Sequence, residues 1–187
     1  MELQPDPDME LQPDPDMEIE LDPDMEVPSS ELTYNLCGIG RNEVRASGTF
    51  EDPIVISYSP FLDRNTTQGQ TQNQFNRYDC RPTTREFGPE QIYQFTLEYP
   101  SYFRAEVSDP VGVDIDLHLL QNPTVDGQGY VTGCLDRNDR LLLNTHLQPG
   151  TYWLVADTWT NANQQDLVGS YTLSVEWVAH NEWTTTP

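Results

Sequence analysis

The stretch QIYQFTLEY, residues 91–99, places Tyr93, Phe95 and Leu97 on one side of an extended chain and Gln94, Thr96 and Glu98 on the other. That two-residue period is the pattern of a half-buried β-strand. The same alternation continues C-terminally and predicts strands over residues 102–108, 114–121, 129–134, 140–147, 151–157 and 170–178, with two short ones before it over 44–50 and 54–59. Pro100, Asp109-Pro110, Asp126-Gly127, Asn138-Asp139 and Pro149-Gly150 fall between the strands, where restricted or permissive φ angles reverse a chain. A parallel pair needs a crossover of ten or more residues, and the one late connection of that length, 158–168, is polar and lacks an apolar stripe. The pattern therefore predicts an all-β domain, an antiparallel sandwich of two sheets.

Composition bounds the rest. The 187 residues are 36% hydrophobic, enough for one modest core. Thirty-one acidic residues face nine basic ones, all Arg, giving a formal charge of -22. Such a surface repels nucleic acid and anionic lipid and favours cations, basic proteins or neutral glycans. No apolar run is long enough to span a bilayer, and the N-terminus shows neither a basic nor an apolar signal region, so no membrane insertion is expected.

Much of the charge lies in an eight-residue repeat, MELQPDPD, MELQPDPD, MEIELDPD, followed by a decayed MEVPSSE. Twelve carboxylates, no base and a proline in every copy oppose compaction, so residues 1–32 read as a disordered acidic tether. The sandwich domain is expected over 33–180, and a flexible tail over 181–187.

Residues 63–88 are rich in Asn, Gln, Thr and Gly, have no periodicity and read as one long loop, functional or pinned by a bridge. Cys80 and Cys134 both fall in polar, turn-rich sequence and are expected to pair, which implies an oxidising compartment and leaves Cys37 over. Spacing alone does not choose among the three single pairs.

The segments NTTQGQTQN, GPEQIYQFTL, DIDLHLL, LQPGTYWLVAD and GSYTLSVEW, in this order, resemble the bacterial pre-peptidase C-terminal domain family over residues 47–177. The resemblance implies a jelly-roll-like β-sandwich carried by secreted or cell-surface proteins. It also implies a candidate Ca²⁺ site, since some relatives bind that ion. Asp114 and Asp116 alternate with Ile115, Leu117 and Leu119, so their carboxylates share the face opposite the buried side chains. They either cap a neighbouring loop through backbone N–H groups or join Asp109, Asp136, Asp139 or Asp157 around Ca²⁺. An acidic segment before the first strand, Glu43, Glu51 and Asp52, offers a second such group.

Gly150 and Gly169 open strands where a side chain would obstruct a close approach, and Tyr152 and Tyr171 read as core aromatics with hydroxyls at the rim. Trp153, on the face opposite Tyr152, and Trp159, in a polar loop, are candidate ligand-binding aromatics, with Tyr102, Tyr130 and Trp183 behind them. The three histidines show no metalloprotease spacing, and no nucleophile motif is present. His118 and His146 would hold Zn²⁺ with Asp116 only if their strands were neighbours. Two functions fit: a non-catalytic secreted or surface module that binds an extracellular protein fibre, polysaccharide or partner protein, and a structural spacer with or without Ca²⁺.

Overall fold

A computed structural model describes residues 46–180. The repeat tether, the domain start at 33, Cys37, Glu43, Trp183 and the 181–187 tail lie outside the described residues. Ten strands follow one another: β1 (Ile54–Ile56), β2 (Phe61–Thr66), β3 (Arg77–Tyr78), β4 (Glu90–Leu97), β5 (Ser101–Ser108), β6 (Ile115–Val125), β7 (Tyr130–Asn138), β8 (Leu141–Leu147), β9 (Gly150–Thr158) and β10 (Ser170–Ala179). They form a six-stranded sheet in the order β1-β4-β9-β6-β7-β3 and a four-stranded sheet in the order β2-β10-β5-β8. The fold is the all-β, two-sheet sandwich that the alternation predicts.

Register explains the core. Phe95 stands opposite Tyr152 and Tyr93 opposite Leu154 across β4 and β9, while Leu119 stands opposite Leu154 across β6 and β9. Facing them, β10 pairs Leu173 with Val107, Val175 with Ala105 and Trp177 with Phe103 of β5. Phe95 is the hub, its ring centroid 4.9 Å from Phe103 and 5.5 Å from both Tyr152 and Trp177. Tyr152 and Tyr171 are buried, and their hydroxyls reach the Gln148 carbonyl at 2.7 Å and the Tyr93 hydroxyl at 3.0 Å. At Gly169 a Cβ would stand 2.2 Å from Val113 Cγ2, so the close approach expected there excludes a side chain.

The two sheets differ in how their outer faces end. Along β5 buried and exposed residues alternate strictly, the mark of one solvated face. From Ile115 to Leu120 of β6 and from Leu154 to Thr158 of β9, every residue is buried. Residues 67–89, together with β3, lie over this second face as a lid. Phe75 and Tyr78 of the lid join Ile92, Leu120, Val131 and Val155 of the sheet in a second apolar cluster. A disulfide from Cys80 to Cys134 of β7 pins the lid, the Cα atoms 5.5 Å apart. The Asp79 carboxylate accepts the backbone N–H groups of Gly133 and Cys134, both at 3.0 Å. Gly133 has φ +85°, and a Cβ there would lie 2.5 Å from the Gln121 carbonyl, so the bulge beside the bridge requires glycine.

Several expectations need correcting. Residues 46–50 form no strand, and 48–50 are bends, because Ser47 and Gly48 donate to Asp52 and close a turn. The supposed loop 63–88 begins inside β2, an antiparallel partner of β10, and contains β3. Its polar residues occupy edge positions, where one side of the strand meets water. Pairing is not wholly antiparallel: β1 runs parallel to β4 and β3 parallel to β7. Both are two- or three-residue edge strands, and the chain between the parallel partners passes through other strands, β2 and β3 in one case and β4 to β6 in the other, which meets the need for a long crossover without a helix. His118 and His146 lie on β6 and β8, in different sheets, so no joint site forms.

Removing the hub ring leaves a cavity that rigid sheets cannot fill. Phe95→Ala should cost about 3–5 kcal/mol in chemical denaturation without changing the fold type. A loss below about 1 kcal/mol would show that the stack is not the centre of the core.

Candidate functional site

Beneath the lid, register lines up acids. Glu90 of β4 stands opposite Asp157 of β9, and Asp157 opposite Asp116 of β6, giving three carboxyls in one row on the outer face. The next row brings His118 of β6 opposite Arg137 of β7. Glu86 descends from the lid, its Oε1 3.8 Å from His118 Nε2 and 3.4 Å from Arg137 Nη2. Arg137 also binds Asp116 and, at 2.9 Å, Asp139. The Tyr78 hydroxyl donates to Asp157 Oδ2 at 2.6 Å, and its ring stacks on His118 with centroids 3.6 Å apart. Glu86, Glu90, Asp116, His118 and Asp157 are each 1% exposed or less.

Burial dominates the ionisation of this cluster. Desolvation, then the Asp116 charge, raises Glu86; desolvation raises Glu90 to about 7 and also raises Asp116, which Arg137 partly offsets. Asp157 is pushed well up by desolvation and the charges of Glu90 and Glu86. His118 is held neutral by desolvation, with Arg137 adding to the effect. One guanidinium cannot balance four carboxylates, so bound protons do much of the neutralising. The groups of this cluster are shut away from solvent beneath the lid.

The residues offered as Ca²⁺ ligands are already engaged. Asp109 Oδ2 accepts the Ile115 N–H at 2.9 Å, a loop cap. Asp114 is half-buried beside it, its carboxyl raised first by desolvation and then by Asp109. Asp116 and Asp157 are neighbours but turn to Arg137 and Tyr78. Among the described residues no three carboxylates bring one oxygen each within 4.8 Å of one another.

The aromatic candidates are scattered. Trp153 is half-buried against the lid cluster, 6.1 Å from the Phe50 ring. Trp159 is half-buried, and its backbone N–H donates to the Asp114 carbonyl at 3.1 Å. Tyr102, 43% exposed, lies on the other sheet, edge-on to His180 at 5.0 Å. Tyr130 lines an open cleft of about 510 Å³ with Asn76, Arg77, Phe87, Asp126 and Gln128. There the Arg77 guanidinium sits 5.5 Å from the Phe87 ring centroid. Arg77 and Phe87 carry no spacing signal in sequence, because only the lid's path brings them to Tyr130. A second open groove, of about 640 Å³, crosses the ends of β2, β5 and β10 and is lined by Arg64, Asn65 and Asp109 among others.

No protein-family description matches this chain, and no curated protein matches it. Solved structures do. The crystal structure of PliG from Aeromonas hydrophila, a periplasmic lysozyme inhibitor of g-type lysozyme, aligns with a TM-score of 0.43 and 9% identity, over 67% of this chain and 96% of that one. The pre-peptidase C-terminal domain of collagenase from Bacillus anthracis aligns with a TM-score of 0.43 and 16% identity, over 67% of this chain and 95% of that one.

Carboxyls whose folded pKa is raised bind more protons than the unfolded chain does, so their contribution is complete below the unfolded value and is lost as pH climbs through the folded one. His118 acts oppositely but is neutral in both states above about pH 6.5. Between pH 6.5 and 9 the domain should therefore lose stability as pH rises, by about 1.4 kcal/mol per pH unit per excess proton. Thermal melts across that window check this, and Glu90→Gln should flatten the lower part. A midpoint that holds or rises with pH contradicts the protonated cluster.

Proposed function

We propose that this domain is a non-catalytic binding module of a secreted or cell-surface protein, gripping an extracellular polymer or partner protein at the cleft of Arg77, Phe87 and Tyr130. The observation that carries this reading is the division of chemistry. The cluster of Glu86, Glu90, Asp116, His118 and Asp157 is closed under the lid, whereas the cleft beside it is open and joins aromatic faces to hydrogen-bond donors. The Tyr130 and Phe87 rings offer apolar contact, and Arg77 and Gln128 offer donors to a chain of polar units, whether sugars or extended peptide. The Cys80–Cys134 bridge supports an oxidising location.

Retention of the full chain on insoluble polysaccharide and on protein fibres tests the cleft. Tyr130→Ala and Arg77→Ala should each weaken retention about tenfold or more on the polymer that binds, and Tyr102→Ala, on the other sheet, should leave it unchanged. Undiminished binding by both cleft variants, or no retention of the wild type on either polymer, removes the reading.

A structural spacer stabilised by Ca²⁺ is the competing function. Because Asp109, Asp116 and Asp157 are each committed to a protein partner, melts in EDTA and in millimolar Ca²⁺ should give the same midpoint. A midpoint raised by Ca²⁺ would favour the spacer, since an ion held only by the folded chain stabilises it by mass action.

A further inference from the structure

The Cys80–Cys134 bridge has an unusual neighbour. One sulfur from each cysteine and one ring nitrogen of His118 all lie within 4.8 Å of one another. His118 is fully buried, and neither of its nitrogens meets a hydrogen-bond partner. An imidazole in that state ordinarily costs about 1–3 kcal/mol in lost hydration, so buried histidines are almost always partnered. Its ring is also fixed, stacked under Tyr78 at 3.6 Å with an interplanar angle of 11°. The three groups come from three separately held elements: the lid, β7 and β6.

We propose that reduction converts this bridge into a metal site, in which the Cys80 and Cys134 thiolates and the His118 imidazole bind Zn²⁺. Two sulfurs and one nitrogen form a soft donor set suited to tetrahedral Zn²⁺ and unsuited to Ca²⁺ or Mg²⁺. The bridge accepts two electrons and two protons from two molecules of an external thiol, which leave joined as a disulfide, and becomes two thiols. Zn²⁺ then displaces the two S–H protons, and the metal–sulfur bonds take the place of the sulfur–sulfur bond. Cys80 is exposed, which gives both reductant and metal a way in and leaves the fourth position to water. The consequence is a lid that stays fastened in either redox state, by a covalent bond in one and by a metal in the other. This inference does not depend on the cleft.

The test uses the full chain with Cys37→Ser, so that the only thiols are the two in question. Co²⁺, a spectroscopic stand-in for Zn²⁺, is titrated into reduced and oxidised protein. The reduced form should bind one ion with a sulfur-to-cobalt charge-transfer band, Zn²⁺ should displace it and raise the melting midpoint, and the oxidised form should give no band. His118→Gln should weaken Co²⁺ binding at least tenfold, about what losing even an outer partner of a metal ligand costs. Should that variant fail to fold, the His118 ring-nitrogen resonances of the reduced protein decide, since coordination must shift one of them on addition of Zn²⁺. No charge-transfer band in the reduced protein, full affinity without His118, or unmoved imidazole resonances each overturn the proposal.

Discussion

Covering the outer face of the six-stranded sheet is the constraint from which the rest follows. Ile92, Leu120, Val131 and Val155 point away from the sandwich core, and left bare they would expose a broad apolar surface, at roughly 25 cal/mol for every Å². In helical folds a crossover helix does this covering. Here no described residue is helical, so an irregular segment must do it, and irregular backbone brings N–H groups that the segment pairs only in part, as at Arg81 and Thr84. Side-chain acceptors tie the two layers together from both sides: Glu90 of the sheet takes the Gln74 N–H of the lid at 2.7 Å, and Asp79 of the lid takes the Gly133 and Cys134 N–H groups of β7. The Cys80–Cys134 bridge then holds down a segment with few apolar contacts of its own. The disulfide and the acids around the lid are two answers to one packing problem.

Burying acids for this purpose creates an electrostatic problem that the cluster solves with protons and one arginine. Antiparallel register fixes Glu90, Asp157 and Asp116 side by side, and the lid adds Glu86. Four ionised carboxylates at these separations would repel strongly in a medium of low dielectric. Arg137, 14% exposed, reaches in from the edge and binds Asp116 and Glu86 while keeping contact with Asp139 in solvent. That reach is possible because a guanidinium is less strongly hydrated than an ammonium and presents several donors in a fixed fork. A chain whose basic residues are all Arg is equipped for such a position, although the composition alone did not point to this one.

Legibility in the sequence tracks how many neighbours decide a residue's place. Strands β5 and β10 were readable because each alternates against a single inner layer, and β4 because Tyr93, Phe95 and Leu97 keep that alternation although Ile92 packs under the lid. The face assigned to Asp114 and Asp116 was also readable, since period two fixes it. What covers that face was not, because the lid uses isolated anchors, Phe75 and Tyr78, set among polar residues without any period. Strands β2 and β3 escaped notice for a related reason: they are edges, and their polar side chains look like loop. Cys80 was the one mark in that stretch that announced a fixed position. Arg77 and Phe87, ten residues apart, meet Tyr130 only through the fold and left no trace in spacing.

The lid's rigidity bears directly on what the neighbouring cleft can do. Asn76 and Arg77 enter it from backbone held to Gly129 at 2.8 and 3.2 Å, and the Asn76 side chain donates to the Gln128 carbonyl at 3.1 Å. On the opposite wall Asp126 Oδ1 accepts the N–H groups of Gln128 and Tyr130 at 2.8 and 2.9 Å, with the carboxyl lowered by those bonds. Asp126, acidic and at the mouth, is thus spent on positioning its neighbours. A cleft whose two walls are fixed in this way would lose little conformational entropy if a ligand entered it. The same pinned irregular layer over a sheet that buries the acid cluster leaves an ordered polar and aromatic edge facing solvent. A binding surface is what such an edge can supply.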